Sequence, residues 1–251
     1  MTHSAVIKTA QLILAGDHEG AERELAHVAE TEGDTALVAL LDQVAPKDLL
    51  AIMREFDGSR ESIVNLVVTP SQFAEAVVLE KRYGDKGYDR LRGMMNAVLY
   101  RDESEAVEYL EALGEKEFGV EVLADYFADR VDEILNFATT GDILADFTLP
   151  EPMEVKSLTW LSEKIEEVDE ALQSGDSILN IRPKTSRAEV SDRDWMETAW
   201  ILRHELSEVF EQLIIAIRDR LERRMESLNV SAEETATTSA RTTDDEEESA
   251  I

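Results

Sequence analysis

Residues 69–99 read TPSQFAEAVVLEKRYGDKGYDRLRGMMNAVL. Thr69 can accept from the backbone three residues on, Gln72 can reach back, and Pro70 occupies the first helical position. That is a capping box with a proline at N1. Behind it Phe73, Ala76, Val77 and Glu80 recur at three and four. Gly84-Asp85-Lys86-Gly87 then punctuates the chain, and Leu91, Met94, Met95, Val98 and Leu99 repeat the same spacing. One apolar stripe per segment at helical period predicts two amphipathic helices, and so short a joint makes them antiparallel neighbours.

The pattern extends both ways. Pro46 opens a helix whose stripe is Leu49, Ile52, Met53 and Phe56, although Ala45 before it is a poor cap. Ser59 can start another helix, and Asp102 with Glu105 can form a second capping box. Ile63-Val64-Asn65-Leu66-Val67-Val68 is ambiguous by composition. It is read as helix because no neighbouring segment alternates like a partner strand. Nine short helices are expected in the first 148 residues, near 3–15, 18–32, 34–43, 46–56, 59–68, 70–83, 87–100, 103–113 and 117–138. Leu14, Asp17, Ala21 and Leu25 recur as Leu99, Asp102, Ala106 and Leu110. The first of these segments resembles the turn of a tetratricopeptide-type hairpin, with a small residue ending one helix and Ala packed inside the next. The 34-residue period of that family is absent. Pro46-Lys47-Asp48-Leu49-Leu50 to Phe73 resembles the acidic helical repeats of magnesium-transporter cytoplasmic domains.

Pro150 and Pro152 mark a boundary at 149–156. A helix is expected at 157–174, striped by Leu158, Leu161, Ile165, Val168 and Leu172. A connector follows to Ser191, with an extended piece at Ile178–Ile181. Ser191 as N-cap and Asp194 at N3 then open the longest helix, 192–228, about 55 Å at 1.5 Å per residue. Its apolar positions include Trp195, Ala199, Leu202, Leu206, Phe210, Leu213, Ile214, Ile217 and Leu221. Their four-three spacing drifts towards 3.6 after Leu213, unlike a strict coiled coil. The favoured reading packs this helix on 157–174 and on the first domain. The competing reading is an oligomerisation or docking seam, for which Trp195, Trp200, Leu206, Phe210, Leu213 and Ile217 are the candidate interaction residues. Residues 229–251 have no apolar period and are expected to be a disordered acidic tail. The class is therefore all-α: an array of short antiparallel hairpins (1–148), then a helical hairpin with a long C-terminal amphipathic helix (157–228), then the tail.

Charge bounds the function. The 251 residues carry 55 Asp and Glu against 25 Lys and Arg, a net charge of −30. A hydrophobic fraction of 43% argues for a folded chain with a carboxylate surface rather than an acidic disordered one. Such a surface repels itself in dilute buffer, whereas in molar salt the Debye length shrinks to about 3 Å. Abundant acid, only 8 Lys and no Cys resemble the composition of proteins from salt-in halophiles such as haloarchaea, and from their viruses. A nucleic-acid mimic would gather its carboxylates on one face, but here they occur in every segment. The same charge opposes direct binding of DNA or RNA. The one locally basic stretch holds Arg182, Lys184 and Arg187.

Chemical motifs are sparse. Without Cys there is no disulfide, thiol nucleophile or thiolate metal site. His204-Glu205-Leu206-Ser207-Glu208 sets His204 and Glu208 one helical turn apart, but a zinc protease needs His at the second place. A di-iron bundle needs Glu-x-x-His, which His204 does not complete, Glu197 being seven residues before it. His3 is near the terminus, and neither His18 nor His27 pairs with a second ligand at i+3 or i+4 in a way that repeats elsewhere. No phosphate loop, dinucleotide fingerprint or nucleophile elbow occurs. No catalytic residue, cofactor or metal ligand is assigned. No apolar run could cross a membrane, and the N-terminal twenty residues do not read as a secretory signal. The expectation is a non-catalytic helical protein–protein interaction or scaffold protein adapted to high salt, cytoplasmic, with a protein partner or self-association and no small-molecule substrate. Two alternatives stand beside it. One is a haloarchaeal virus assembly or structural accessory protein, such as a tail or head chaperone or scaffold, located in a virion or assembly intermediate. The other is a carboxylate/His metal protein.

Overall fold

The computed structural model describes residues 3–56, 62–83, 87–102, 105–144, 153–173, 184–191 and 194–247, with side chains left undescribed at 82–83, 154 and 231–247. The described residues form thirteen α-helices and no strand. In order they are α1 (Ser4–Leu14), α2 (His18–Glu32), α3 (Asp34–Leu41), α4 (Pro46–Glu55), α5 (Ile63–Val67), α6 (Pro70–Tyr83) and α7 (Tyr88–Leu99). There follow α8 (Ala106–Gly114), α9 (Gly119–Tyr126), α10 (Val131–Thr140), α11 (Leu158–Gln173), α12 (Trp195–Glu205) and α13 (Ser207–Glu247). The protein is all-α.

Local chemistry sets most boundaries. Thr69 N–H donates to Gln72 Oε1 at 3.0 Å and Gln72 N–H to Thr69 Oγ1 at 3.4 Å, so the capping box is formed. Pro46 is the first residue of α4, after an Ala45 that supplies no side-chain cap. The Ile63–Val68 segment is helical over five residues, capped by Ser62, whose Oγ accepts from Asn65 N–H. The expected helix start at Ser59 and the extended piece at Ile178–Ile181 lie outside the described residues.

The helices stack in two layers. α2, α4, α6 and α8 pack one on the next, and α8 meets α12. Beside them α3, α5, α7 and α9 do the same, and α9 meets α13. Arg54 reaches Glu80 and Gln72 reaches Asp42, so α4 and α6 run in the same direction, as alternate members of a hairpin array do. One cluster of buried apolar side chains runs from Ala5 to Leu221, so the segments before and after 149–156 share a core.

Four expectations change. Residues 117–138 are not one helix: α9 ends at Tyr126 and α10 begins at Val131. Arg92 of α7 seals the break by donating to the Tyr126 carbonyl at 2.9 Å and to the Asp129 carboxylate. The helix expected at 192–228 is interrupted at Leu206 (φ −126°, ψ 52°), whose N–H turns back to the Ile201 carbonyl. Ser191 does not cap it. Its hydroxyl donates to the Ala188 carbonyl, and Asp194 occupies the N-cap position without a side-chain cap bond. The second capping box also differs: Glu105 precedes α8 and its carboxylate holds Arg101 at 2.9 Å. The backbone of α13 is helical as far as Glu247. The side chains of the acidic tail lie outside the described residues from 231 onward, as do residues 248–251 entirely.

Candidate interaction surface

The apolar seam read from the sequence is already occupied by the chain itself. α13 packs against α9, α11 and α12. Trp195, Phe210, Leu213 and Ile217 are all buried, with Trp195 the most accessible at 3%. Arg130 lies over the Trp195 ring, 4.9 Å from its centroid. Trp200 and Leu206 are half-buried, and Trp200 donates its indole N–H to the Thr185 carbonyl at 3.0 Å. Trp195, Phe210, Leu213 and Ile217 therefore lie in the core, and Trp200 and Leu206 at its partly exposed margin. Their stripe faces inwards because the break at Leu206 lets two successive helices each turn an apolar side to the stack.

The start of α12 is tied to the first half of the chain by polar groups. Asn96 of α7 donates to the Asp194 carboxylate at 2.8 Å and accepts from Tyr126 Oη at 2.8 Å. Thr198 Oγ1 lies 2.5 Å from Tyr100 Oη and 3.1 Å from Tyr126 Oη. Burial drives the Tyr126 phenol well above its ordinary range, so this network holds it neutral and fully hydrogen-bonded. Its role is architectural.

His204 and Glu208 do not share a helix, because Leu206 separates α12 from α13. The His204 ring packs edge-on to Phe137 and tilted against Trp200, with centroids 5.9 and 4.6 Å away, and its buried Nε2 makes no hydrogen bond. Burial, then the adjoining Arg203 charge, lowers its pKa and keeps it neutral. Arg203 donates to the Phe137 and Ala138 carbonyls near the end of α10. His3 accepts from Ala5 N–H at the start of α1. His18 lies 3.8 Å from Glu55, and His27 lies 4.0 Å from Glu30. Among the described residues no three His, Asp or Glu gather as a metal site. Of the basic stretch, Arg187 is engaged by Glu197 and Glu205, both at 3.3 Å, and Arg182 lies outside the described residues.

The surface feature that sequence reading misses lies at the joint between α8 and α9. Phe118 has φ 69° and ψ 7°, the one left-handed non-glycine residue among those described. A bulky L-residue there costs about 1–2 kcal/mol. Gly119, next in the chain, is packed so tightly that a Cβ would lie 1.6 Å from the Leu113 carbonyl oxygen. The turn brings Phe118, 38% exposed, to the edge of an apolar recess of about 250 Å³. Pro46 of α4 and Val78 and Leu79 of α6 form the rest of its wall. Lys116 and Glu75, paired at 2.7 Å, and Glu117 also line it. No sequence rule marks this site, since a glycine rather than a phenylalanine is the usual signal for a left-handed turn residue.

A larger recess of about 430 Å³ between α11 and α13 is lined by Glu166, Asp169, Glu170 and Met225. Asp169 there is committed to Arg218 at 2.9 Å. Compared with family models, curated proteins and solved structures, the chain matches none.

Proposed function

We propose that this protein is a non-catalytic helical interaction protein that works in high salt. The observation that supports this best is the recess at Phe118. An aromatic residue is held in a strained backbone conformation at the edge of an apolar groove, on a two-layer stack. Strain of this kind persists where the surrounding packing enforces it and is concentrated at functional positions. Stacked-repeat architectures characteristically present extended surfaces to partners. The net charge of −30 supports the solvent assignment, because molar salt shortens the range of the self-repulsion to about 3 Å.

The test is purification of a tagged full-length chain from its own host in multimolar KCl, with mass spectrometry of co-eluting protein. A stoichiometric protein partner is the expected result. Recovery of the bare chain overturns the reading.

A further inference from the structure

We infer that the outer face of α1 pairs with the same face of a second copy of this chain, about a two-fold axis. The inference does not depend on the Phe118 recess. α1 stands at the end of the stack, with Ala5, Val6 and Thr9 buried towards its neighbours α2 and α4. Ser4, Ile7, Gln11 and Leu14 lie on the opposite side, and all four are exposed. Their spacing of three, four and three is that of a helix-pairing seam. Ile7 is 52% exposed and Leu14 83%, so neither is used by the chain's own core. Interior helices of a stacked array cover such a face with the next helix, and a terminal helix ordinarily presents a polar one. α1 does neither.

The chemistry of the seam selects the occupant. Among the described helices of eight residues or more, α1 is the one without an Asp or Glu. Burying a carboxylate costs its hydration, and salt screening does not return that cost. The face that meets this seam without stranding a charge is therefore itself uncharged, and α1 of a second copy is such a face. Gln11 at the centre carries both a donor and an acceptor, so its amide can bond the same amide across a two-fold axis, as neither a carboxylate nor an ammonium can. The charges beside the seam are engaged within the chain. Lys8 binds Glu24, Glu32 lies 3.7 Å from His3, and Asp17 caps Gly20 N–H at 2.8 Å with Arg23 4.0 Å away. Two chains of charge −30 repel at long range, and molar salt cuts that range to about 3 Å, which leaves the apolar contact to decide. A helix of 11 residues is about 16 Å long. Two of them fall short of the roughly 1,600 Å² of a standard interface, so the dimer belongs to the weak, concentration-dependent class.

The test is sedimentation equilibrium of the purified full-length chain in about 2 M KCl, over a concentration range reaching about 1 mM. A reversible dimer is expected, with a Kd on the order of 0.1 mM. Leu14→Gln is expected to weaken it at least about tenfold with the melting temperature unchanged, because Leu14 is 83% exposed in its own chain. Gln11→Leu is expected to tighten it about tenfold, because a polar residue at a seam position costs stability. The chain has no Cys, so Gln11→Cys carries a single thiol. A thiol-specific bifunctional linker is expected to join two copies through it, and to leave Glu108→Cys, exposed on α8, as single chains. A monomer throughout the range, or a dimer that Leu14→Gln leaves intact, overturns the inference. A co-purifying protein that a monomeric chain loses on Leu14→Gln gives the face to that protein and overturns the second copy as occupant. A monomer that keeps a protein partner overturns this inference alone, whereas a dimer that co-purifies with nothing else overturns the reading at Phe118 alone.

Discussion

Arg203 is the residue whose replacement bears most directly on how the two halves of the chain are joined. It is 3% exposed, and its guanidinium lies over the rings of Phe137 and Phe210, 4.7 and 5.7 Å from their centroids. It donates to the Phe137 carbonyl and, at 3.0 Å, to the Ala138 carbonyl. The Phe137 carbonyl also accepts from Gly141 N–H, so loss of the guanidinium bears hardest on Ala138. Two charge-assisted hydrogen bonds contribute about 1.5–3 kcal/mol each, and the ring contacts about 0.5–1 kcal/mol each. Against them stands desolvation. Burial pulls the Arg203 pKa from 12.5 down to about 10. Arg203→Met leaves the Ala138 carbonyl without that donor and is expected to lose about 1–3 kcal/mol, or about 2–12 °C in melting temperature for a chain of this size. Urea unfolding followed by far-ultraviolet circular dichroism in about 2 M KCl is the assay, because urea leaves the ionic screening unchanged. Arg203→Lys is expected to fall below wild type too, since one ammonium cannot reproduce a planar fork bonded to two carbonyls. A Met variant as stable as wild type would refute the reasoning. It would mean that desolvation cancels the bonds and that Arg203 does not hold α12 to α10.

Salt is the second perturbation: with a net charge of −30, the melting temperature is expected to rise by about 10 °C or more from dilute buffer to multimolar KCl. Equal melting curves in both would remove the high-salt assignment. Glu22 of α2 is buried, with Oε1 accepting from Ile63 N–H and Oε2 without a partner, and desolvation raises its pKa. A raised carboxyl pKa in the folded state means that stability is lost as pH rises through it. Glu22→Gln, measured by urea midpoints across pH, is therefore expected to match wild type below about pH 4 and to exceed it at neutral pH. A constant difference across that range contradicts the assignment. His204 titrates with the opposite sign: its folded pKa is lowered, so its contribution is present above the ordinary value of about 6.5 and is lost as pH falls through the folded value. His204→Phe is expected to flatten that acid limb of the stability curve, and an unchanged limb would place the acid sensitivity in other groups.

Much of the helical layout is legible in the sequence because its signals are local. The capping box at Thr69–Gln72 and Pro46 at the head of α4 stand where the residues place them. Leu49, Ile52, Met53, Phe73, Ala76, Val77, Met94 and Met95, all read as stripe positions, are buried. The candidate seam at Trp195, Phe210, Leu213 and Ile217 shows the limit of the same evidence. An apolar stripe states that a face is covered, and here α9, α11 and α12 do the covering. The groove at Phe118 is not legible, because its walls come from residues as far apart as Pro46 and Phe118 and its key residue adopts an atypical backbone conformation.

By itself, then, the sequence determined the helical class, most helix starts, the buried positions and the acidic surface. These follow from period, cap chemistry and charge within a few residues of each position. Tertiary structure alone decided where continuous patterns break and what covers each stripe. The turn after Tyr126 is held by Arg92, a residue 34 positions away, and the two halves are bound through Arg203 to carbonyls 65 and 66 positions away. Hydrogen bonds between groups so distant along the chain leave no local pattern. Only the stacking of the layers brings the donor to the carbonyl that it satisfies.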